Sequence, residues 1–321
     1  MMKKIIQRLL ERKTRAYLKK HKPLLVLITG SVGKTSTKQA IATVLSEKYR
    51  VRAHDGNHNT HFSVPTAIMG VEYPHNPRSS SEWRMVLKAM NLRIHGEKDV
   101  DVIVQELGTD TPGDIAQFAR YLSPDIAVVT AVSEEHMEFF GTLDEVAKEE
   151  LSIAKAAKLT IVNRDDVAED YAKYADTHTI DTYGLGEKAE YRLAIEPANP
   201  LDGRIGKLIT PEWGETSVTV QLVGEHSLKA ALAAACVGAK LGLTSQQVVM
   251  GLSKVKPVPG RMQALRGVEG STIIDDTYNA SPLAVEAALK TLMDIETPQR
   301  VAILGSMNEL GNTSAQAHEK I

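Results

Sequence analysis

Short apolar runs alternate with stretches of helical period from Pro23 onward. Leu24–Thr29 is a continuous apolar strand, and the glycine turn after it leads into a helix from about Lys34 to Lys48. Val100–Leu107, Ile126–Val132, Leu159–Val162 and Thr179–Asp181 are further predicted strands, with helices beginning near Thr111, Leu143 and Asp166. The first of these has Thr111 as N-cap, Pro112 at the first helical position and Asp114 at the third. Strands without polar alternation need cover on both faces, so the fold class is α/β, a mostly parallel sheet with helices on each side. Ligands of such sheets collect at the carboxyl ends of the strands.

Residues 184–223 break the rhythm with glycines, prolines and short alternating runs such as Ser217–Val223, which predict a small β-rich insertion. Helices return at about His226–Leu241 and Thr244–Ser253, then a strand at Ser271–Ile274, a helix at Pro282–Asp294 and a strand at Val301–Leu304. Pro298 marks a boundary, which divides the chain into an arm (1–22), a large central domain (23–297) and the beginning of a second α/β domain (298–321) that looks cut short.

Composition narrows the function. With 321 residues the length suits about two domains. A single cysteine, Cys236, excludes an intrachain disulfide and a cysteine-based zinc site, which points to a reducing, cytoplasmic setting. The longest nearly apolar stretch, Ala230–Val237, is far too short to span a bilayer. Lys3 and Lys4 could open a signal peptide, but Arg8, Glu11, Arg12 and Lys13 follow too soon for an apolar core. A net charge of −2 argues against a nucleic-acid partner. That total hides an asymmetry, because residues 1–22 hold nine Lys or Arg against Glu11 alone, leaving −10 for the rest. Ile5, Ile6, Leu9, Leu10, Tyr17 and Leu18 follow helical spacing there, interrupted at Lys13 and Thr14. Such an arm either packs on its own domain with solvated lysines or meets anionic lipid or a nucleotide-bearing substrate.

The strongest local signal is Gly30-Ser31-Val32-Gly33-Lys34-Thr35-Ser36, between an apolar strand and a helix. Glycines let successive N–H groups point at phosphate oxygens, and the helix amino terminus adds its positive end. Lys34 would reach the β and γ phosphates of ATP or GTP, and the Thr35 hydroxyl would ligate Mg²⁺. Ile28 stands where the usual pattern has its first glycine. Asn163-Arg164-Asp165-Asp166 loosely imitates a guanine-reading motif, but Arg164 replaces its lysine and no Asp-x-x-Gly switch follows. Glu106 ends a strand beside this loop, well placed for Mg²⁺ with Thr35. His136, in an acidic loop after the next strand, is a candidate ligand for a second ion.

These segments, with Gly56-Asn57-His58-Asn59-Thr60, Gly224-Glu225-His226, Gly260-Arg261, Asp276–Pro282 and Leu304–Gly311, stand in the order of the Mur ligases, and the chain resembles that family over about residues 24–321. The later groups most resemble the branch that adds D-alanyl-D-alanine to a UDP-linked muramoyl tripeptide. The resemblance implies an ATP-dependent amide-bond ligase of peptidoglycan synthesis that activates a carboxylate as an acyl phosphate. It implies Thr35 and Glu106 on a first Mg²⁺, His136 on a second, Asn279 and Asn163 beside the nucleotide, and Arg261 as a phosphate contact. Asn57, Asn59 and Thr60 would face the acid substrate, whose partner is an amine or dipeptide, and the protein is expected to be a monomer.

Three departures stand out. The family's carbamylated lysine falls at Glu150, which would act on the second metal directly or through water, while Lys148 lies about 200° around the helix. His61, Phe62 and Ser63 replace a smaller glycine-containing turn, and Ser227 and Ala230 replace asparagines. The family's amino-terminal UDP-gripping domain and most of its carboxy-terminal domain are not represented. Two other readings therefore stay open: a related ligase or amidotransferase subunit acting on a different, lipid-linked acid, and a nucleotide-binding scaffold without turnover.

Overall fold

The computed structural model describes residues 2–175 and 179–321. The elements run α1 (Met2–His21), β1 (Leu24–Thr29), α2 (Lys34–Leu45), β2 (Val51–Ala53), α3 (Ser63–Met69), α4 (Ser80–His95), β3 (Val102–Glu106), α5 (Asp114–Ala119), β4 (Ile126–Val129), α6 (Met137–Phe140), α7 (Leu143–Leu151), β5 (Leu159–Asn163) and β6 (Ile180–Gly184). Then follow β7 (Tyr191–Ile195), β8 (Arg204–Thr210), β9 (Gly214–Val220), α8 (Glu225–Lys240), α9 (Ser245–Lys254), β10 (Gln263–Arg266), β11 (Thr272–Asp275), α10 (Pro282–Asp294) and α11 (Ser314–Lys320).

Nine strands form one sheet in the order β2-β3-β1-β4-β5-β6-β7-β8-β9. Pairing is parallel from β2 through β7 and antiparallel for β8 and β9. Side chains of β1 alternate between two cores: Val26 and Ile28 face α2, α8 and α9, while Leu25 and Leu27 face α1, α3, α4 and α5. Both faces are apolar because both are covered. The strands between 184 and 223 are continuous with this sheet through the β6–β7 pair rather than set apart from it. β8 and β9 bury alternate residues only, the mark of a sheet edge covered on one side.

The basic arm is α1, and it packs on its own domain. Ile6, Leu10, Thr14, Tyr17 and His21 are buried along one stripe. Thr14 keeps the stripe unbroken because its hydroxyl donates to the Leu10 carbonyl at 3.0 Å instead of needing water. Tyr17 anchors the far end, donating to Asp99 at 3.2 Å and accepting from Arg52 at 3.0 Å.

Several sequence expectations need correction. The helix expected from Thr111 starts at Asp114, with Gly113 as N-cap at φ 96°. The Asp114 carboxylate turns back to accept from Thr111 N (2.9 Å), and Glu149 accepts from Gly113 N (2.8 Å) and Ile115 N (2.7 Å), so two acids cap this amino terminus. No α-helix begins at Asp166, whose carboxylate is bound by Asn163 and Lys229; a 3₁₀ turn at Glu169–Tyr174 follows instead. Val301–Leu304 is exposed and unpaired, because β11 bonds only to β10 among the described residues. β2, α3 and α4 had no counterpart in the sequence reading, although the Ser79 side chain accepting from Glu82 N is a capping signature legible in the residues.

Since Leu10 is fully buried, Leu10→Ala should destabilise the whole domain by about 3 kcal/mol in urea unfolding followed by fluorescence. A wild-type midpoint would mean that α1 is not part of the cooperative unit.

Candidate active site

Because β1 lies between β3 and β4, their carboxyl ends converge where the strand order reverses. Register sets Ile28 opposite Glu106 on one side and Thr29 opposite Val129 on the other. The loop after β1 turns at Gly30 (φ 121°) and Gly33 (φ 84°). It passes so close to β4 that a Cβ on Gly30 would lie 2.2 Å from Thr130 Oγ1. Thr130 in turn donates to the Thr29 and Val32 carbonyls, locking the curl.

A cleft of about 400 Å³ opens here. Ser31, Val32, Gly33, Lys34, Thr35, Ser36, Asn57, Asn59, His136, Asn163, Arg261 and Asn279 all line it, so most of the sequence-derived site is assembled in one place. Lys34 is held by the Gly30 and Ser31 carbonyls and faces Glu135 at 3.4 Å. Burial lowers its pKa, but the carboxylates of Glu135, Glu150 and Glu106 outweigh burial and raise it, so Lys34 stays charged. From the opposite wall Arg261 donates to Thr35 Oγ1 at 3.3 Å and lies over the Tyr278 ring at 4.2 Å.

Glu106 sits under the loop with 0% exposure, and neither carboxylate oxygen accepts a hydrogen bond. A buried carboxylate with free lone pairs fits a hard cation. No group of three or more His, Cys, Asp or Glu able to hold a metal is assembled among the described residues. His136 is held at φ 49°, with Glu309 at 2.5 Å from Nδ1 but out of line for a hydrogen bond, and Glu135 and Asp110 at 3.6 and 3.7 Å from Nε2. Three carboxylates therefore surround its ring.

Four expected residues stand elsewhere. Gly30, at the root of the loop, and Glu106, behind it, are not on the cleft wall, and Thr60 lies in the turn before α3, its carbonyl accepting from Ser63 N and Val64 N. Glu150 is also buried behind the loop, where its carboxylate accepts from Gly30 N at 2.7 Å. It therefore supports the loop backbone and does not line the cleft. Burial pushes its pKa up to about 7 against the pull of Lys34. Asn163 lines the cleft, but its amide is committed to the Thr130 carbonyl and Asp166.

The sequence reading overlooked Lys38 and Lys229. Lys38 is 1% exposed and lies 3.6 Å from Glu106, one helical turn past Lys34. Its i+4 spacing from Lys34 was the available signal. Lys229 holds both Asp166 oxygens at 2.7 Å beside His226, whose pKa burial and Lys229 push down to about 4, so the imidazole is neutral near pH 7.

A phosphate loop at a sheet switch point, with an acid at the end of one flanking strand and a histidine in the loop after the other, defines an α/β protein of the P-loop class. The chain belongs to the Mur ligase family: the Mur ligase middle domain matches residues 28–238, and the glutamate ligase domain of the same family matches 260–321. The UDP-N-acetylmuramoyl-tripeptide–D-alanyl-D-alanine ligase of Bacillus subtilis is 28% identical over 312 residues, covering 97% of this chain and 62% of that protein. The Treponema pallidum enzyme of the same name is 30% identical, over 95% of this chain and 60% of its own length. The chain thus spans about three-fifths of these relatives. Among solved structures, MurF ligase of Thermotoga maritima in complex with ADP superposes with a TM-score of 0.81 at 27% identity, covering 98% of this chain and 67% of that one. MurF of Acinetobacter baumannii gives 0.82 at 25% identity, covering 97% and 63%. The second family match begins at residue 260, ahead of the boundary expected at Pro298.

A carboxyl whose folded pKa lies above its unfolded value stabilises the fold fully below the unfolded value, near 4.5, and that contribution is lost as pH rises through about 7. Glu150→Gln removes the penalty. The nucleotide-free variant should match wild type in thermal melts near pH 4.5 and exceed it at pH 8, by at most about 3 kcal/mol. A pH-independent difference would show that Glu150 does not titrate in this range.

Proposed function

We infer that this chain carries the ATP- and Mg²⁺-binding part of a Mur-type amide ligase, joining D-alanyl-D-alanine to a UDP-linked muramoyl tripeptide in peptidoglycan synthesis. The observation that carries this reading is one cleft lined by Lys34, Thr35, His136, Asn57 and Asn59, with the unbonded Glu106 carboxylate buried behind the loop. In the proposed reaction a substrate carboxylate oxygen attacks the γ-phosphorus of ATP. The bond to the bridging oxygen breaks, and ADP leaves with its electron pair. The amine then attacks the acyl carbon, the bond to phosphate breaks, the nitrogen loses a proton, and an amide and inorganic phosphate result.

Each residue has a part in bringing the anions together. The amides of Gly33–Ser36 at the start of α2 cradle the phosphates, and Lys34 neutralises the bridging and γ oxygens. Thr35 and Glu106 would hold a first magnesium ion and His136 a second. Bound Mg²⁺ supplies charge neutralisation of the phosphoryl oxygens. Arg261 approaches the same oxygens from the far wall, with Asn279 and Asn163 bordering the nucleoside. Asn57 and Asn59 present amides to the acid. Glu150, at the family's carbamylated-lysine position, holds the Gly30 amide behind Lys34, a support that needs no carbon dioxide. All these groups come from one chain, in keeping with a monomer.

The test is phosphate release from ATP and Mg²⁺, screened over UDP-muramoyl peptides with and without D-alanyl-D-alanine, in degassed buffer. Release should need both acid and amine and be indifferent to bicarbonate. Lys34→Ala should weaken ATP binding, whereas His136→Ala should retain binding and lose acyl-phosphate formation by at least about 100-fold. Release that never depends on amine would favour the scaffold reading.

The outward residues of α1, including Lys4, Arg8, Arg12, Arg15 and Lys19, are exposed and carry the basic charge. Among the described residues no helix is long and apolar enough to cross a membrane. We propose that this face contacts anionic lipid or a lipid-linked acid. Deleting α1 would remove buried core, so the informative variant is Arg8→Glu with Arg12→Glu and Lys19→Glu. It should melt like wild type and lose sedimentation with phosphatidylglycerol vesicles; equal binding by both proteins would refute the contact.

A further inference from the structure

The loop from Gly56 to Thr60 and the Glu106 carboxylate meet at one buried ammonium. Lys38 Nζ donates to the Gly56 carbonyl at 3.1 Å and lies 3.6 Å from Glu106 Oε2, too far for a hydrogen bond. Both side chains are 1% exposed. An isolated carboxylate at this depth would be strongly disfavoured, and Lys38 offsets its charge without occupying its lone pairs. Two further bonds fasten the loop to the end of β3: Gln105 Nε2 donates to the His58 carbonyl at 2.6 Å, and Gly108 N donates to the Asn59 carbonyl at 2.9 Å. Against those neutral bonds, the Lys38–Gly56 bond is the charge-assisted one.

We propose that Lys38 is a positioning residue: it ties the loop that faces the acid substrate to the carboxylate that receives the cation, while keeping both oxygens of that carboxylate unbonded. This rests on the reading of Glu106 and Asn57–Thr60 given above. A lysine suits the task because its ammonium is a compact charge whose three donors need not point at the acid. Arginine would not suit it, because a planar fork close to a carboxylate binds both oxygens. The arrangement makes the loop and the cation site one device: a change at Lys38 is felt at both, although Lys38 touches neither substrate.

Two variants separate this from plain structural support. Lys38→Met keeps the stem and removes the donor. Amides between residues 56 and 60 should exchange ~tenfold faster by hydrogen-exchange mass spectrometry, with the core strands unchanged. Lys38→Arg should keep the loop protected yet weaken Mn²⁺ binding ~tenfold, read by electron paramagnetic resonance with ADP present. A lysine that merely fills space would let arginine serve equally well. Wild-type exchange in Lys38→Met, or wild-type Mn²⁺ affinity in Lys38→Arg, would overturn the proposal. If Lys38→Met does not fold, the arginine variant decides alone. Should wild type bind Mn²⁺–ADP but never release phosphate with any acid and amine, the ligase reading fails while the role of Lys38 stands.

Discussion

The close passage of the chain at Gly30 is the constraint on which the rest of the site depends. Adding a Cβ there would place it 2.2 Å from Thr130 Oγ1 and 2.8 Å from the Ala131 nitrogen, and φ is 121°. Only glycine meets both conditions. Because the loop can approach β4 so nearly, Thr130 can bond two of its carbonyls, and the Gly30 N–H points inward to Glu150. The Ser31 N–H is taken by the Ala131 carbonyl, and Val32 to Ser36 are left lining the cleft. A looser turn would let water reach the buried acids and dissolve the electrostatic arrangement beneath.

That arrangement is a small set of opposed charges held apart under a phosphate-shaped loop. Lys34, Lys38 and Arg261 oppose Glu106, Glu135 and Glu150, yet no pair among them shares a short, well-aligned bond, the closest being Lys34 to Glu135 at 3.4 Å. In a low-dielectric setting such charges attract strongly, and the fold holds them back by giving each ammonium backbone carbonyls as partners. Sites of this kind are preorganised for ligands of mixed charge, because Lys34 and Thr35 need only exchange their bonds to the Gly30 and Ser31 carbonyls and to Arg261 for a phosphate or a cation. Glu150 is the extreme case, a carboxyl raised to about 7 because burial outweighs its one backbone bond.

Much of this was legible beforehand, for physical reasons that differ by element. β1 could be read to the residue, since an apolar run ending at a glycine turn allows little else. The phosphate loop was legible because its backbone geometry demands glycine and its charge demands lysine at fixed spacing. The apolar run Val102–Glu106 put Glu106 at the end of a strand, where β3 has it, and His136 lies in the acidic loop beyond β4. α3 and α4 were not legible, because their apolar faces are short and their burial comes from packing against α1. The strand expected at Val301–Leu304 failed because a strand needs a neighbour, which composition does not reveal.

What the sequence determined by itself was local: glycine where φ is positive, apolar runs long enough for strands, lysine and threonine at the start of a helix. These depend on neighbours within a few residues. The tertiary structure alone decided which charges share a space. Glu150 and Gly30 are 120 positions apart and Arg261 and Thr35 are 226 apart, and no pattern along the chain encodes either contact. α7 and the segment after α9 both pack back on the loop that follows β1, and that packing brings them together. The same packing turned Glu150 from an expected cleft residue into the support of the loop, and buried Lys38, an unremarked surface-type residue, against Glu106.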